Sequence, residues 1–179
     1  MSYSIRQATL HDVPILAALH VRTFQETHGG GPPLSVRQDQ WEGILRQGEA
    51  DDFTFVVEDP EGALVGFARG TPHDGSVPGF AGRLNKIYVL RRHHRRGLGT
   101  LLVCHVTSRF LSRGVGSMLL FGDARSPANG FYEHLGAERL YSPHGDFHGG
   151  YGWRDLRSLA QRCADPSPGG DPPPHEPAA

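Results

Sequence analysis

The sequence predicts an α/β protein in which a mixed sheet is flanked by helices, and three observations predict it. Short alternating apolar runs and longer runs at helical spacing follow one another in the order βαα-ββ-βα-βα-ββ. A β-branched stretch at 84–90 enters a basic, glycine-containing turn that opens an apolar-striped helix. The stretch after Cys163 holds no large apolar residue and reads as a disordered Pro/Gly-rich tail, dividing the chain into a domain at 1–160 and a tail at 161–179.

Residues 3–8 alternate and read as a first strand. Thr9 then caps a helix with Asp12 in its first turn, and Val13, Leu16, Ala17 and Phe24 share one face. Gly29-Gly30-Gly31-Pro32-Pro33 stops that helix. A second runs from about 35 to 47, with Leu34, Trp41 and Leu45 along one side. Strands at 53–58 and 63–70 flank the turn Asp59-Pro60-Glu61-Gly62 and form an antiparallel hairpin. Residues 71–82 are a loop and 84–90 the fourth strand. The helix at 97–111 carries Leu98, Leu102, Val106 and Phe110 at i, i+4 spacing. A fifth strand follows at 117–121, and the unit from 84 to 121 is expected to be a right-handed parallel crossover. A short helix at 127–135 and a strand pair at 137–142 and 150–156, around a His/Gly/Pro/Asp loop, complete the order.

Composition narrows the function classes. At 179 residues the chain is long enough for one hydrophobic core. No stretch approaches the roughly 20 apolar residues of a membrane helix, and no signal peptide is visible, so a cytoplasmic location with no membrane partner is expected. Net charge is -1, which makes nucleic acid a poor partner despite the cluster at 91–96. Cys104 and Cys163, 2 cysteines without metal-like spacing, point to free thiols in a reducing compartment. His134, His144, Asp146 and His148 lie on no rigid element, and no metal is expected.

The chemistry concentrates at Ile87-Tyr88-Val89-Leu90 and the turn that follows it. A helix N-terminus presents unpaired N–H groups and the positive end of its dipole, and so binds anions. Gly97 and Gly99 clear side chains from those groups, while Arg95 and Arg96 add charge. A dinucleotide fingerprint wants a third glycine and a later acidic residue, neither of which follows here. A pyrophosphate turn is the reading these residues support.

Arg95-Arg96-Gly97-Leu98-Gly99 resembles the Gln/Arg-x-x-Gly-x-Gly/Ala turn of the GNAT superfamily of N-acetyltransferases. The 84–90 strand resembles that family's fourth strand, and Ala128-Asn129-Gly130-Phe131-Tyr132-Glu133-His134-Leu135-Gly136-Ala137 resembles its A-x-x-F-Y-e-x-l-G-f/a segment. Three departures stand out. His94 occupies the first position of the turn motif, Arg125 or Ser126 replaces an Asn, and Arg83 stands where relatives often carry a glutamate.

The resemblance implies the GNAT acyl-CoA N-acyltransferase fold, with a mixed, mostly antiparallel sheet and a parallel splay between the fourth and fifth strands. It implies acetyl-CoA as co-substrate and an amine as acceptor. Main-chain groups of Ile87, Tyr88 and Val89 would pair with the pantetheine arm. His94, Arg95, Arg96, Gly97, Leu98, Gly99 and Thr100 would hold the pyrophosphate, and Asn129 and Tyr132 would complete the cofactor site. Tyr132 is also the expected catalytic acid. Glu26 and His28 are the expected acceptor-side contacts, with Glu58 and Asp123 as further candidate bases.

The expected acceptor is a small amine such as a polyamine, an amino acid or an aminoglycoside. A protein N-terminus or lysine is the alternative acceptor, and a non-catalytic acyl-CoA sensor the alternative role. Trp153 reads as core or as a contact in a homodimer.

Overall fold

A computed structural model describes residues 2–47 and 50–165. Thr9 and Asp12 start the first helix as their spacing predicts. The Thr9 N–H donates to Asp12 Oδ2 at 2.7 Å, and Arg6 holds the same carboxylate through an ion pair of 2.8 Å. β1 is Ser4–Gln7 and α1 is Val13–His28, with Gly29 in the left-handed region at its C-terminus (φ 75°), where a side chain would be strained. α2 follows at Leu34–Gln47, then β2 at Phe53–Glu58, β3 at Leu64–Pro72 and β4 at Gly82–Val89. α3 is Leu98–Ser112, β5 Met118–Leu120, α4 Asn129–His134, β6 Glu138–Tyr141, β7 Phe147–Trp153 and α5 Leu156–Ala164.

The seven strands form one sheet in the order β1-β2-β3-β4-β5-β7-β6. Its parallel pair is β4 with β5, as the crossover predicts, and the other pairs are antiparallel. Alternation sorts the core onto two faces. Phe53 and Phe55 meet Phe110 and His105 of α3, whereas Phe67 and Tyr88 meet His20 of α1, and Phe67 also meets Trp41 of α2. Leu98, Leu102, Val106 and Phe110, the expected stripe, are all buried. Trp153 is core: it is 4% exposed and donates its indole N–H to the Leu135 carbonyl at 3.0 Å.

Three expectations need correction. The last strand pair is a hairpin whose second strand begins at Phe147, closed by the turn at 142–146, so His148 lies on a strand. Asp155 is the N-cap of α5, accepting the Arg157 N–H at 2.9 Å. That helix runs to Ala164, so a boundary at 160 falls inside it. The remainder of the expected tail, 166–179, lies outside the described residues. The third correction concerns the thiols: Cys104 of α3 and Cys163 of α5 form a disulfide with Cα atoms 5.8 Å apart. Leu156 and Leu159 dock α5 as buried residues, which brings two cysteines 59 positions apart within bonding geometry. Neither cysteine is a free thiol, so the pair does not mark a reducing compartment.

Candidate active site

The β4–β5 pairing has only two rungs, Gly82↔Met118 and Arg83↔Leu119. Just beyond them β4 carries a bulge. Leu84 faces Gly70 and Lys86 faces Arg69, which leaves Asn85 as the extra residue. A bulge bends its strand, and here it coincides with the point where β4 and β5 part. The Leu90 N–H donates to the Val65 carbonyl, so Leu90 and Tyr88 direct their main-chain groups at β3. Antiparallel alternation then turns those of Ile87 and Val89 toward the opening. Tyr88 is thus engaged on both sides of its backbone with β3, and its ring lies on the α1 face, 1% exposed.

The turn after β4 bends twice into the left-handed region. A short 3-10 segment, Arg91–His93, leads to His94, then Arg95 at φ 58° and Gly97 at φ 74°. Such alternation directs successive N–H groups into one concavity, which suits an anion. Arg95 and Arg96 are exposed beside it, while Leu98 and Gly99 are buried in the first turn of α3. Glycine is required at 97, where the backbone enters the helix with positive φ. His94 gives its ring to the strand: Nε2 is 2.7 Å from the Val89 carbonyl. Tyr3 ties the outer side, 2.9 Å from His93 Nδ1 and 3.1 Å from Arg96.

An open strand edge leading into an anion-binding turn suits a ligand with an extended amide arm and a pyrophosphate. The model for the Acetyltransferase (GNAT) family matches residues 15–137. This chain belongs to the GNAT acetyltransferase family.

The family's relatives agree in length and architecture. Uncharacterized N-acetyltransferase YuaI of Bacillus subtilis (strain 168) is 27% identical over 170 residues, covering 87% of this chain and 95% of the relative. The PaiA N-acetyltransferase of Thermoplasma acidophilum, solved with coenzyme A, matches at TM-score 0.67 and 15% identity, over 85% of this chain and 98% of its own. The aminoglycoside acetyltransferase AAC(6')-Ib, also solved with coenzyme A, matches at TM-score 0.66 and 21% identity, over 89% and 98%. This chain is a GNAT N-acetyltransferase.

Within this GNAT domain the remaining expected site residues have the following surroundings. Tyr132 of α4 is 2% exposed, packed against Phe131, Tyr151 and Trp153. Burial raises the pKa of its hydroxyl above the ordinary tyrosine value. Asn129 donates to the carbonyls of Asp123 and Ala124 at 3.2 and 3.0 Å, and so braces the segment between β5 and α4.

The acceptor-side candidates and the further candidate bases make the following contacts. Glu26 accepts the Arg91 N–H at 2.8 Å and its main-chain carbonyl meets the Arg91 guanidinium, so it anchors the entry to the turn. His28 is exposed and packs at a tilt against Phe24, with ring centres 4.3 Å apart. Glu58 is paired with Arg6 at 2.8 Å, and Asp123 accepts from the Arg125 N–H at 2.8 Å.

Sequence reasoning missed His20. It is 1% exposed, accepts the Trp41 indole N–H at Nδ1 (3.1 Å), and is pushed down to about 3 by burial, then by Arg37 and Lys86. Its i, i+4 step from Leu16 and its place on the α1 apolar face were the available signal. Among the described residues no group of three or more His, Cys, Asp or Glu is placed to hold a metal ion, and no helix is long and apolar enough to cross a membrane.

Proposed function

We propose that this enzyme acetylates the primary amine of a small molecule by direct attack on the bound thioester. The observation that carries the reading is the open β4 edge, where the Ile87 and Val89 main-chain groups face the gap left by β5 and lead straight to the turn at 94–100. Acetyl-CoA supplies an activated acetyl carbon and a thiolate leaving group. Ile87 offers an N–H and a carbonyl to the pantetheine arm, as an added strand would find them. The concave turn of Arg95 to Thr100 holds the pyrophosphate, and Arg95 and Arg96 balance its charge.

The Val89 N–H points into the same gap. It is the donor placed to stabilise negative charge on the carbonyl oxygen as the amine attacks. A C–N bond forms and the C–S bond breaks, and the proton shed by nitrogen passes to the sulfur or to solvent. Tyr132 donates a hydrogen bond to that sulfur. Its raised pKa lies far above the ~8.5 of an ordinary thiol, so it steadies the thiolate without surrendering its proton.

Release of free CoA in the presence of a panel of small primary amines tests the reading. Turnover with at least one small amine is expected, and turnover confined to peptide N-termini or protein lysines overturns the small-molecule assignment. Tyr132→Phe is expected to lower kcat by about ten- to a hundredfold with the KM for acetyl-CoA little changed. An unchanged rate at every pH removes Tyr132 from the chemistry.

A further inference from the structure

The sheet face that packs against α1 and α2 carries an uncompensated arginine. Register puts Arg69 and Lys86 directly opposite one another there, because Phe67 and Tyr88, two rungs along and so on the same face, meet His20. Like charges opposed across an antiparallel pair repel. Arg69 is answered by Asp52 and lies 3.4 Å from Asn85 Oδ1. Past the bulge, Arg83 returns to this face, since its neighbours Gly82 and Leu84 turn toward Phe110 and Phe53. The low pKa of His20, owed in part to Arg37 and Lys86, reports the same positive field.

Arg83 differs from Arg69. Its side chain donates no hydrogen bond and forms no ion pair with any described residue, and its Nε is buried. Its guanidinium carbon lies 5.0 Å from the centre of the Phe121 ring, the residue immediately after β5. Arg83 is also the last β4 residue paired to β5. The guanidinium therefore reaches from one lip of the splay to the other, over an aromatic ring, with its donors unused by the described residues. Asp74, its nearest carboxylate influence, is 78% exposed and engaged with Ser76 and His73. A partly buried cation with unsatisfied donors destabilises the free protein, and an anion placed against it relieves that.

Resting on the reading above that the acceptor is a small amine, we propose that Arg83 binds a carboxylate of that acceptor, so that the enzyme selects amines that also carry a carboxylate. One planar guanidinium, placed over a ring, offers two parallel N–H groups in the spacing of two carboxylate oxygens. Arginine at this position thereby exchanges a negatively charged strand residue for an anion-reading one at the start of the opening.

The test compares glycine, β-alanine and γ-aminobutyrate with their amides, with phosphoethanolamine and with spermidine, following CoA release. At least one carboxylated amine is expected to exceed its amide tenfold or more in kcat/KM. Arg83→Gln is expected to bring that ratio to within about twofold of one, through KM, and Arg83→Lys to restore part of it. Protection of both variants by CoA against heat shows that they are folded. Equal use of acids and amides, preference for spermidine or phosphoethanolamine, or an Arg83→Gln effect shared by every amine overturns the proposal.

If no amine is turned over, the catalytic reading fails separately, and the same acids are then titrated into the CoA-bound protein. A rise in Tm with the acid, absent with its amide and lost in Arg83→Gln, upholds the carboxylate site. No rise overturns it.

Discussion

The ring of His94 donates its Nε2 hydrogen to the carbonyl oxygen of Val89, 2.7 Å away, and so clips the turn back onto the end of β4. A carbonyl only accepts, so Nε2 is the donor in this bond. The bond closes the outward carbonyl of the strand edge while leaving the Val89 N–H turned toward the opening. His94→Ala should loosen the junction between edge and turn, a loss of ~1 kcal/mol. The KM for acetyl-CoA is expected to rise several-fold with a smaller effect on kcat, and His94→Gln, whose amide can donate to the same carbonyl, to recover part of it. Steady-state kinetics in acetyl-CoA checks this, and an unchanged KM in His94→Ala refutes the clip.

His20 makes stability depend on acid. Its folded pKa is about 3 and its unfolded value is 6.5, so below pH 6.5 the unfolded chain takes up a proton that the folded chain refuses. The stability this group contributes is full above pH 6.5 and is lost as pH falls toward 3. The slope within that window is at most ~1.4 kcal/mol per pH unit. Protonation at Nδ1 would also break the bond from the Trp41 indole. Urea unfolding of wild type and His20→Asn at pH 7.5, 5.5 and 4.5 measures the difference, since asparagine keeps an acceptor for Trp41 without titrating. Wild type should lose stability faster than the variant, and parallel curves would exclude His20 as the cause.

The Cys104–Cys163 bridge ties α5 to the middle of α3, the helix whose first turn forms part of the concave turn after β4. Closing a loop of 59 residues restricts the unfolded chain and stabilises the fold by roughly 2–4 kcal/mol. Reduction with dithiothreitol, or the Cys104→Ser/Cys163→Ser double variant, is expected to lower Tm by about 5–15 °C. Leu156 and Leu159 still dock α5, so the domain should remain folded. Calorimetry reads the shift, and alkylation of the native protein should find no reactive thiol. Two alkylated cysteines without reductant would contradict the bridge.

Much of the fold was legible because local patterns carried it. Thr9 with Asp12, the glycine stop after His28, the hairpin turn at 59–62 and the Leu98–Phe110 stripe each act within a few residues. The final helix had a signal of the same kind: Asp155 as cap, with Leu156, Leu159 and Cys163 at i, i+3 and i+7. The polar tail beyond it obscured that pattern. The bulge at Asn85 had none, because an extra residue in a ladder is defined by its partner strand. Nor did the disulfide, whose halves meet only when α5 folds back onto α3.

By itself the sequence determined the family, the order of elements and the place of the glycine turn between β4 and α3, since these follow from spacing along the chain. Tertiary structure decided which groups are available there. The β3 register turns Tyr88 away from the gap and Ile87 and Val89 toward it, and Arg91 engages Glu26. Arg83 is set against Phe121 with no carboxylate paired to it among the described residues, because β4 bends where β5 ends its pairing. Each of these is a relation between residues far apart in the chain. Burial and register, which the packed fold alone supplies, set its chemistry.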